Sequence, residues 1–112
     1  MNLKKLRIKT LKALSDETRL EIISLLRHGE ELCGCELDKV IDKSQSTISR
    51  HLKKLEEADL VKSKRRGVKV FYKIRDTKVY KLLAVLDNLI KGNNKFEKIV
   101  ELQKEIQKEI PI

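Results

Sequence analysis

The chain has 112 residues, 26 of them Lys or Arg against 17 Asp or Glu, for a formal charge of +9 and a pI near 9.6. That length suits one small domain with a core too modest for independent lobes, and the charge favours a polyanion, nucleic acid ahead of an anionic membrane surface. No apolar run approaches the roughly 20 residues of a membrane span, and the N-terminus lacks the continuous apolar stretch of a secretory signal, so a cytoplasmic protein is expected.

In chain order, Leu3, Leu6, Leu11 and Leu14 mark a first helix ending near Ser15. Ser15 is the expected N-cap of a second helix, with Asp16 and Glu17 opposing the positive end of its dipole. This helix is expected to bury Leu20, Ile23 and Leu26 or its neighbours, run to about His28 and stop at Gly29. A short third helix spans roughly Glu36 to Asp42. A fourth follows a break at Lys43 and Ser44, whose hydroxyl can cap it. Its Ile48, Leu52 and Leu55 form one packing face. Ser44, Gln45, Ser46, Thr47, Ser49, Arg50 and His51 are side chains able to donate to phosphates or reach base edges. Two short helices about so small a turn, the second polar on one face, are the helix-turn-helix arrangement.

Val61 to Arg75 holds seven Lys or Arg and no acid, with Gly67 between two runs of β-formers, which predicts a two-stranded ribbon with a cationic tip. Asp76 or Thr77 can cap a further helix carrying Leu82, Leu83, Leu86, Leu89 and Ile90 and halting at Gly92. The last segment, Lys95 to Ile110, sets Phe96, Ile99, Leu102 (or Val100) and Ile106 at helical spacing before Pro111. So much apolar surface on a small chain needs a partner, so these helices and the first are the expected dimer interface.

Four stretches carry a family resemblance: ALSDETRLEIISLL (Ala13 to Leu26), ELCGCEL (Glu31 to Leu37), QSTISRHLKKLEEADLV (Gln45 to Val61) and RRGVKVFYKI (Arg65 to Ile74). With them the chain resembles the ArsR/SmtB family of winged helix-turn-helix repressors over nearly its whole length. The resemblance implies a mainly α fold with a two-stranded β wing, dimerised through terminal helices. It also implies a homodimer whose paired recognition helices enter successive major grooves of a double-stranded operator. Gln45, Ser46, Thr47, Ser49, Arg50 and His51 match the family's DNA-facing surface, with Gln45 suited to an adenine edge and Arg50 to a phosphate or a guanine. Arg65, Arg66 and Lys69 of the wing would reach the adjacent backbone or minor groove.

In the arsenic- and cadmium-responsive branch of that family, cysteines at the start of the first motif helix supply thiolate ligands. Cys33 and Cys35 match the first two, and Asp38 stands where a third would be. Thiolates suit As(III), Sb(III), Cd(II) or Cu(I), whereas a carboxylate is a hard donor. Residues two apart lie on nearly opposite sides of a regular helix. Gly34 would let Cys33 stay in the preceding loop while Cys35 opens the helix, on one face with Asp38. Two other uses stay open. One is a thiol redox switch, although a disulfide across one residue is strained and easily reduced. The other is a structural Cys33 on an apolar face with Leu37 and Ile41, and an incidental Cys35.

The family's zinc and cobalt sensors use His and carboxylate ligands on a C-terminal helix, yet Thr77 to Lys91 contains no His and only Asp87 could contribute there. No catalytic triad, phosphate-binding glycine loop or paired-carboxylate motif is present, so the chain is not expected to be an enzyme. The reading is a repressor released when Cys33 and Cys35 take a soft metal or thiol-reactive signal, pulling the first motif helix and with it the recognition helix. No cofactor is required. The rivals are a regulator indifferent to its cysteines and a basic architectural module without sequence preference.

Overall fold

Side-chain caps decide where the helices begin. A computed structural model of the chain describes residues 2–91 and 101–104. Helix α1 (Leu3–Leu14) starts after Asn2, whose Oδ1 accepts from the Lys5 N–H at 2.9 Å. Helix α2 (Glu17–Leu25) starts after Asp16, whose Oδ2 accepts from the Arg19 N–H at 3.0 Å. The cap is therefore Asp16 and not Ser15, which instead closes α1. A carboxylate there adds charge–dipole attraction to the capping hydrogen bond.

Helix α2 also ends before the expected His28. The Arg27 N–H bonds to the Ser24 carbonyl at 3.2 Å and the Gly29 N–H to the Leu26 carbonyl at 3.3 Å, three-residue steps that tighten the chain into a turn. Gly29 follows in the left-handed region at φ +73°. Ile22, Ile23 and Leu26 are fully buried, while Leu20 is only half-buried.

A two-residue strand that periodicity did not anticipate, β1 (Leu32–Cys33), leads directly into α3 (Gly34–Val40). Cys33 caps this helix through a reciprocal pair of bonds. Its Sγ accepts from the Cys35 N–H at 3.0 Å, and its own N–H donates to Glu36 Oε1 at 3.1 Å. The helix consequently begins at Gly34, two residues before the expected Glu36. Cys33, Leu37 and Ile41 are all buried, as one apolar face requires.

Helix α4 (Gln45–Glu57) is capped by Ser44, whose Oγ accepts from the Thr47 N–H at 3.2 Å. Its inner face, Ile48, Leu52 and Leu55, is at most 1% exposed. The helix ends with the Asp59 N–H on the Glu56 carbonyl and the Leu60 N–H on the Leu55 carbonyl, both at 3.0 Å. Asp59 supplies the left-handed residue, φ 58°, that this closure needs.

Strands β2 (Val61–Arg66) and β3 (Lys69–Ile74) form the wing, joined at Gly67 and Val68, with Gly67 at φ +65°. Strand β1 adds to the far side of β3, giving an antiparallel sheet of order β1-β3-β2. The expected hairpin therefore carries a third short strand that ties Cys33 to Phe71. Buried Val61 and Ile74, paired across the hairpin, anchor its base.

The chain divides into two compact units, one through Thr77 and one from Lys78. In the first, α1 leaves Leu3 and Leu11 about 60% exposed. In the second, α5 (Lys78–Lys91) leaves Val85, Leu86 and Leu89 exposed. Residues 101–104 are helical, with Leu102 exposed. The expectations for Gly92, Phe96, Ile99, Val100, Ile106 and Pro111 lie outside the described residues.

Leu55→Ala removes a side chain with no solvent exposure, and is expected to cost about 2–5 kcal/mol in a denaturant titration. A loss below about 1 kcal/mol would show that α4 is not held by this face.

Candidate nucleic-acid interface and thiol site

With its apolar side buried, α4 presents its polar side outward. Ser44, Gln45, Ser46, Ser49 and Arg50 are exposed and Thr47 is half-buried. The front of this row is tied together. Ser44 Oγ donates to Thr47 Oγ1 at 2.9 Å and lies 3.2 Å from Ser46 Oγ, while Arg50 Nη2 donates to Thr47 Oγ1 at 3.5 Å. Gln45 and Ser49, one turn apart, carry the free polar heads suited to a groove.

His51 does not join that row. Its Nδ1 accepts from Arg19 Nη1 at 3.0 Å and stands 3.7 Å from Asp16 Oδ2, turning the imidazole toward the start of α2. Arg19 is the hub of this network. Its Nε donates to the Ala13 carbonyl at 2.6 Å and its Nη2 to the Lys12 carbonyl at 3.1 Å, so one guanidinium joins the end of α1, the start of α2 and the middle of α4. A planar fork with five donors is suited to this; an ammonium is not. Burial pushes the His51 pKa below its ordinary 6.5, and the positive charges of Arg19, Arg50 and Lys54 push the same way against Asp16. The neutral ring accepts at Nδ1 and keeps its proton on Nε2. The Arg19 N–H holds the Asp16 carboxyl below its usual range.

On the wing, Arg65, Arg66 and Lys69 are exposed, but Arg66 is not free. Its Nη2 lies 2.7 Å from Glu31 Oε2, and its guanidinium covers the Phe71 ring 5.2 Å from the centroid. The tip itself is Val68, 96% exposed. Lys62 and Lys73 face each other across the strands, and with Glu31, Ser63, Lys64 and Phe71 they line a hollow of about 300 Å³. Directly opposed like charges destabilise a sheet, and the Glu31 carboxylate in the same hollow partly offsets this pair.

Cys33 and Cys35 do come together. They form a disulfide with Cα atoms 5.2 Å apart, because Cys33 keeps an extended backbone, φ −78° and ψ 154°, while Cys35 sits in the first turn of α3. In reduced form two sulfurs on one wall fit two of the donors a soft ion takes. Among the described residues no group of three His, Cys, Asp or Glu side chains converges, so Asp38 does not complete a site with them. A cavity of about 250 Å³ opens beside the pair, walled by Gln45, Ser49 and Leu52 of α4 and by Val68, Lys69, Val70 and Tyr72 of the wing.

Residues 16–63 match the family model described as bacterial regulatory protein, arsR family. The arsenical resistance operon repressor of Staphylococcus aureus is 40% identical over 84 residues, 75% of this chain and 73% of the relative. The chain belongs to the ArsR family. The cadmium resistance regulator CadC of Listeria innocua is 42% identical over 74 residues, 66% of this chain. The match spans 62% of that regulator's length. Among solved structures, reduced HlyU from Vibrio cholerae is 32% identical with a TM-score of 0.66, covering 77% of this chain and 90% of its own. A homodimeric winged helix-turn-helix DNA-binding domain from Mycobacterium bovis is 25% identical with a TM-score of 0.71, covering 82% and 84%. The ArsR-family fold is thus a winged helix-turn-helix here, and the relatives are transcriptional regulators, not enzymes. No helix among the described residues is long and apolar enough to cross a membrane.

Sequence reasoning missed Arg19, Val68 and Tyr72. An Arg in the first turn of an amphipathic helix reads as surface, and only its distance to three carbonyl and imidazole acceptors reveals the hub. Because folding depresses the His51 pKa, the unfolded chain takes up the proton first, so this stability is complete above about pH 6.5 and falls as the pH drops below it. Thermal denaturation between about pH 7.5 and about pH 5.5 should show this loss, and His51→Gln, whose amide oxygen can still accept from Arg19, should lose less. Equal slopes for both proteins would remove His51 from the acid response.

Proposed function

We propose that this ArsR-family chain is a homodimeric, sequence-specific transcriptional repressor. A soft metal or metalloid, As(III), Sb(III) or Cd(II), or a thiol-reactive signal at Cys33 and Cys35, releases it from its double-stranded operator. One observation carries the reading: the exposed polar residues Gln45, Ser46, Ser49 and Arg50 lie on a helix whose other face is fully buried, with a cationic wing in the same unit. A reading helix fixed by packing beside a cationic ribbon meets the two needs of operator binding, base-edge readout and phosphate contact.

The second copy is the partner we assign to the exposed leucines of α1 and α5, so that residues 1–112 act as one winged helix-turn-helix domain with dimerising ends. These leucines are already partly covered, so closing off the rest of each side chain contributes on the order of 1 kcal/mol before the cost of association. The Mycobacterium bovis relative is itself homodimeric. In the dimer two recognition helices would sit about 34–36 Å apart, one turn of duplex.

Gln45 is assigned to base edges, with Ser46, Ser49 and Arg50 beside it and Ser44 and Thr47 holding the helix start. Arg65 and Lys69 are assigned to phosphates, and Arg66 to bracing the wing through Glu31. His51 serves through Arg19 as a positioning residue. Thiolates fit soft ions, and the names of the cadmium and arsenical relatives are consistent with that class.

The test is the affinity of the reduced protein for duplex from upstream of its own gene, against random duplex, with and without As(III), at one salt concentration. Specific binding should exceed random by on the order of 10³, and As(III) should lower it in the wild type but not in a Cys33→Ser/Cys35→Ser variant. Release that ignores both substitutions would point to a cysteine-independent signal, and equal affinity for both duplexes to an architectural module. Gln45→Ala should cost about 1–3 kcal/mol of discrimination, whereas Arg65→Ala should weaken all duplexes alike; specificity surviving Gln45→Ala would reject that base contact.

A further inference from the structure

The expected route from the cysteines to DNA was a pull on α3. The cavity beside them offers a shorter one. Cys33 and Cys35 share its wall with Gln45 and Ser49 of the reading helix and with Lys69 and Tyr72 of the wing. The two sulfurs are not equivalent: Cys33 is 2% exposed, whereas Cys35 is half-buried and opens on the cavity. A reagent arriving from solvent meets Cys35.

We propose that Cys35 is an addition site for small conjugated-carbonyl electrophiles, and that an adduct there releases DNA by occupying the space Gln45 and Ser49 need, with no rearrangement of α3. This rests on the reading of α4 and the wing as the DNA face. The cavity suits the class. About 250 Å³ holds a molecule of several heavy atoms, Tyr72 offers a flat ring against a planar conjugated system, and Lys69 and Gln45 can donate to its carbonyl oxygen. In the reduced protein the Cys35 thiolate adds to the β-carbon, one C–S bond forms as the C=C π bond breaks, and the α-carbon takes a proton from water. Nothing leaves and no oxidant is consumed. Disulfide formation between Cys33 and Cys35 removes the nucleophile, so oxidised protein should not react.

Because the space is shared, the exclusion is reciprocal: an adduct weakens DNA binding, and bound operator shields Cys35. The experiment uses N-ethylmaleimide as probe and the full chain carrying Cys33→Ser, which leaves one thiol and keeps a hydroxyl to cap α3. Maleimide addition should be at least about tenfold slower on operator-saturated protein than on free protein, and the adduct should bind operator at least about tenfold more weakly. The adduct should keep its helical circular dichroism and melting temperature, which separates obstruction from unfolding. In the Cys33→Ser background, a further Cys35→Ala change leaves no thiol and should abolish both the addition and the reagent's effect on operator binding. The inference is overturned by equal addition rates with and without operator, by an adduct of undiminished affinity, or by an adduct that has lost its helices. Insensitivity to As(III) leaves it standing, while failure to discriminate operator from random duplex removes the repressor reading beneath it.

Discussion

Burial of one face of α4 is the constraint on which the rest depends. Ile48, Leu52 and Leu55 are sealed against the core, so the rotation of the helix about its axis is set by packing and not by its polar side. At 3.6 residues per turn, that rotation alone sends Gln45, Ser49 and Arg50 to solvent together. Close packing also explains why the reading face can be precise without bracing from the wing: a helix held by interdigitated leucines and isoleucines cannot turn by a fraction of a residue without opening voids. Arg19 adds a polar pin from the other side, linking His51 to the junction of α1 and α2.

A second constraint sits at Cys33. Its backbone pairs with Phe71 of β3, its Sγ and N–H form the start of α3, and its side chain is buried. One residue thus fastens the wing to the helix-turn-helix. Chemistry at the adjacent Cys35 is therefore felt at a junction and not on a passive surface. The Arg66–Glu31 ion pair, just before β1, strengthens the same seam from the outside. Being half-exposed it adds little to stability, and its consequence is geometric, holding one wing cation away from the tip.

Charge is distributed to match this division of labour. The wing strands carry Lys62, Lys64, Arg65, Lys69 and Lys73 and no acid of their own, a self-repulsion that the neighbouring Glu31 offsets only in part and a polyanion would relieve. The reading face of α4 is nearly uncharged apart from Arg50, which suits selective hydrogen bonding over bulk attraction. The half-buried carboxylate of Asp16 lies where a helix N-terminus and Arg19 both favour it.

Much of this was legible in the residues. The spacing of Ile48, Leu52 and Leu55, the Ser44 cap and the basic run about Gly67 specify their elements locally, because periodicity and capping act over a few residues. The same locality explains the misplacements: Ser15 and Asp16 are both good caps, and choosing between them depends on where α1 delivers the chain. Strand β1 is too short to show a period, and exists because β3 lies beside it. The Arg66–Glu31 pair, the Arg19–His51 bond and the cavity joining Cys35 to Lys69 connect residues more than 30 positions apart. The sequence by itself determined which elements form, what each one buries and what charge it carries. Only the tertiary structure decided which polar groups meet, because distances between elements are set by packing and have no signature in local sequence.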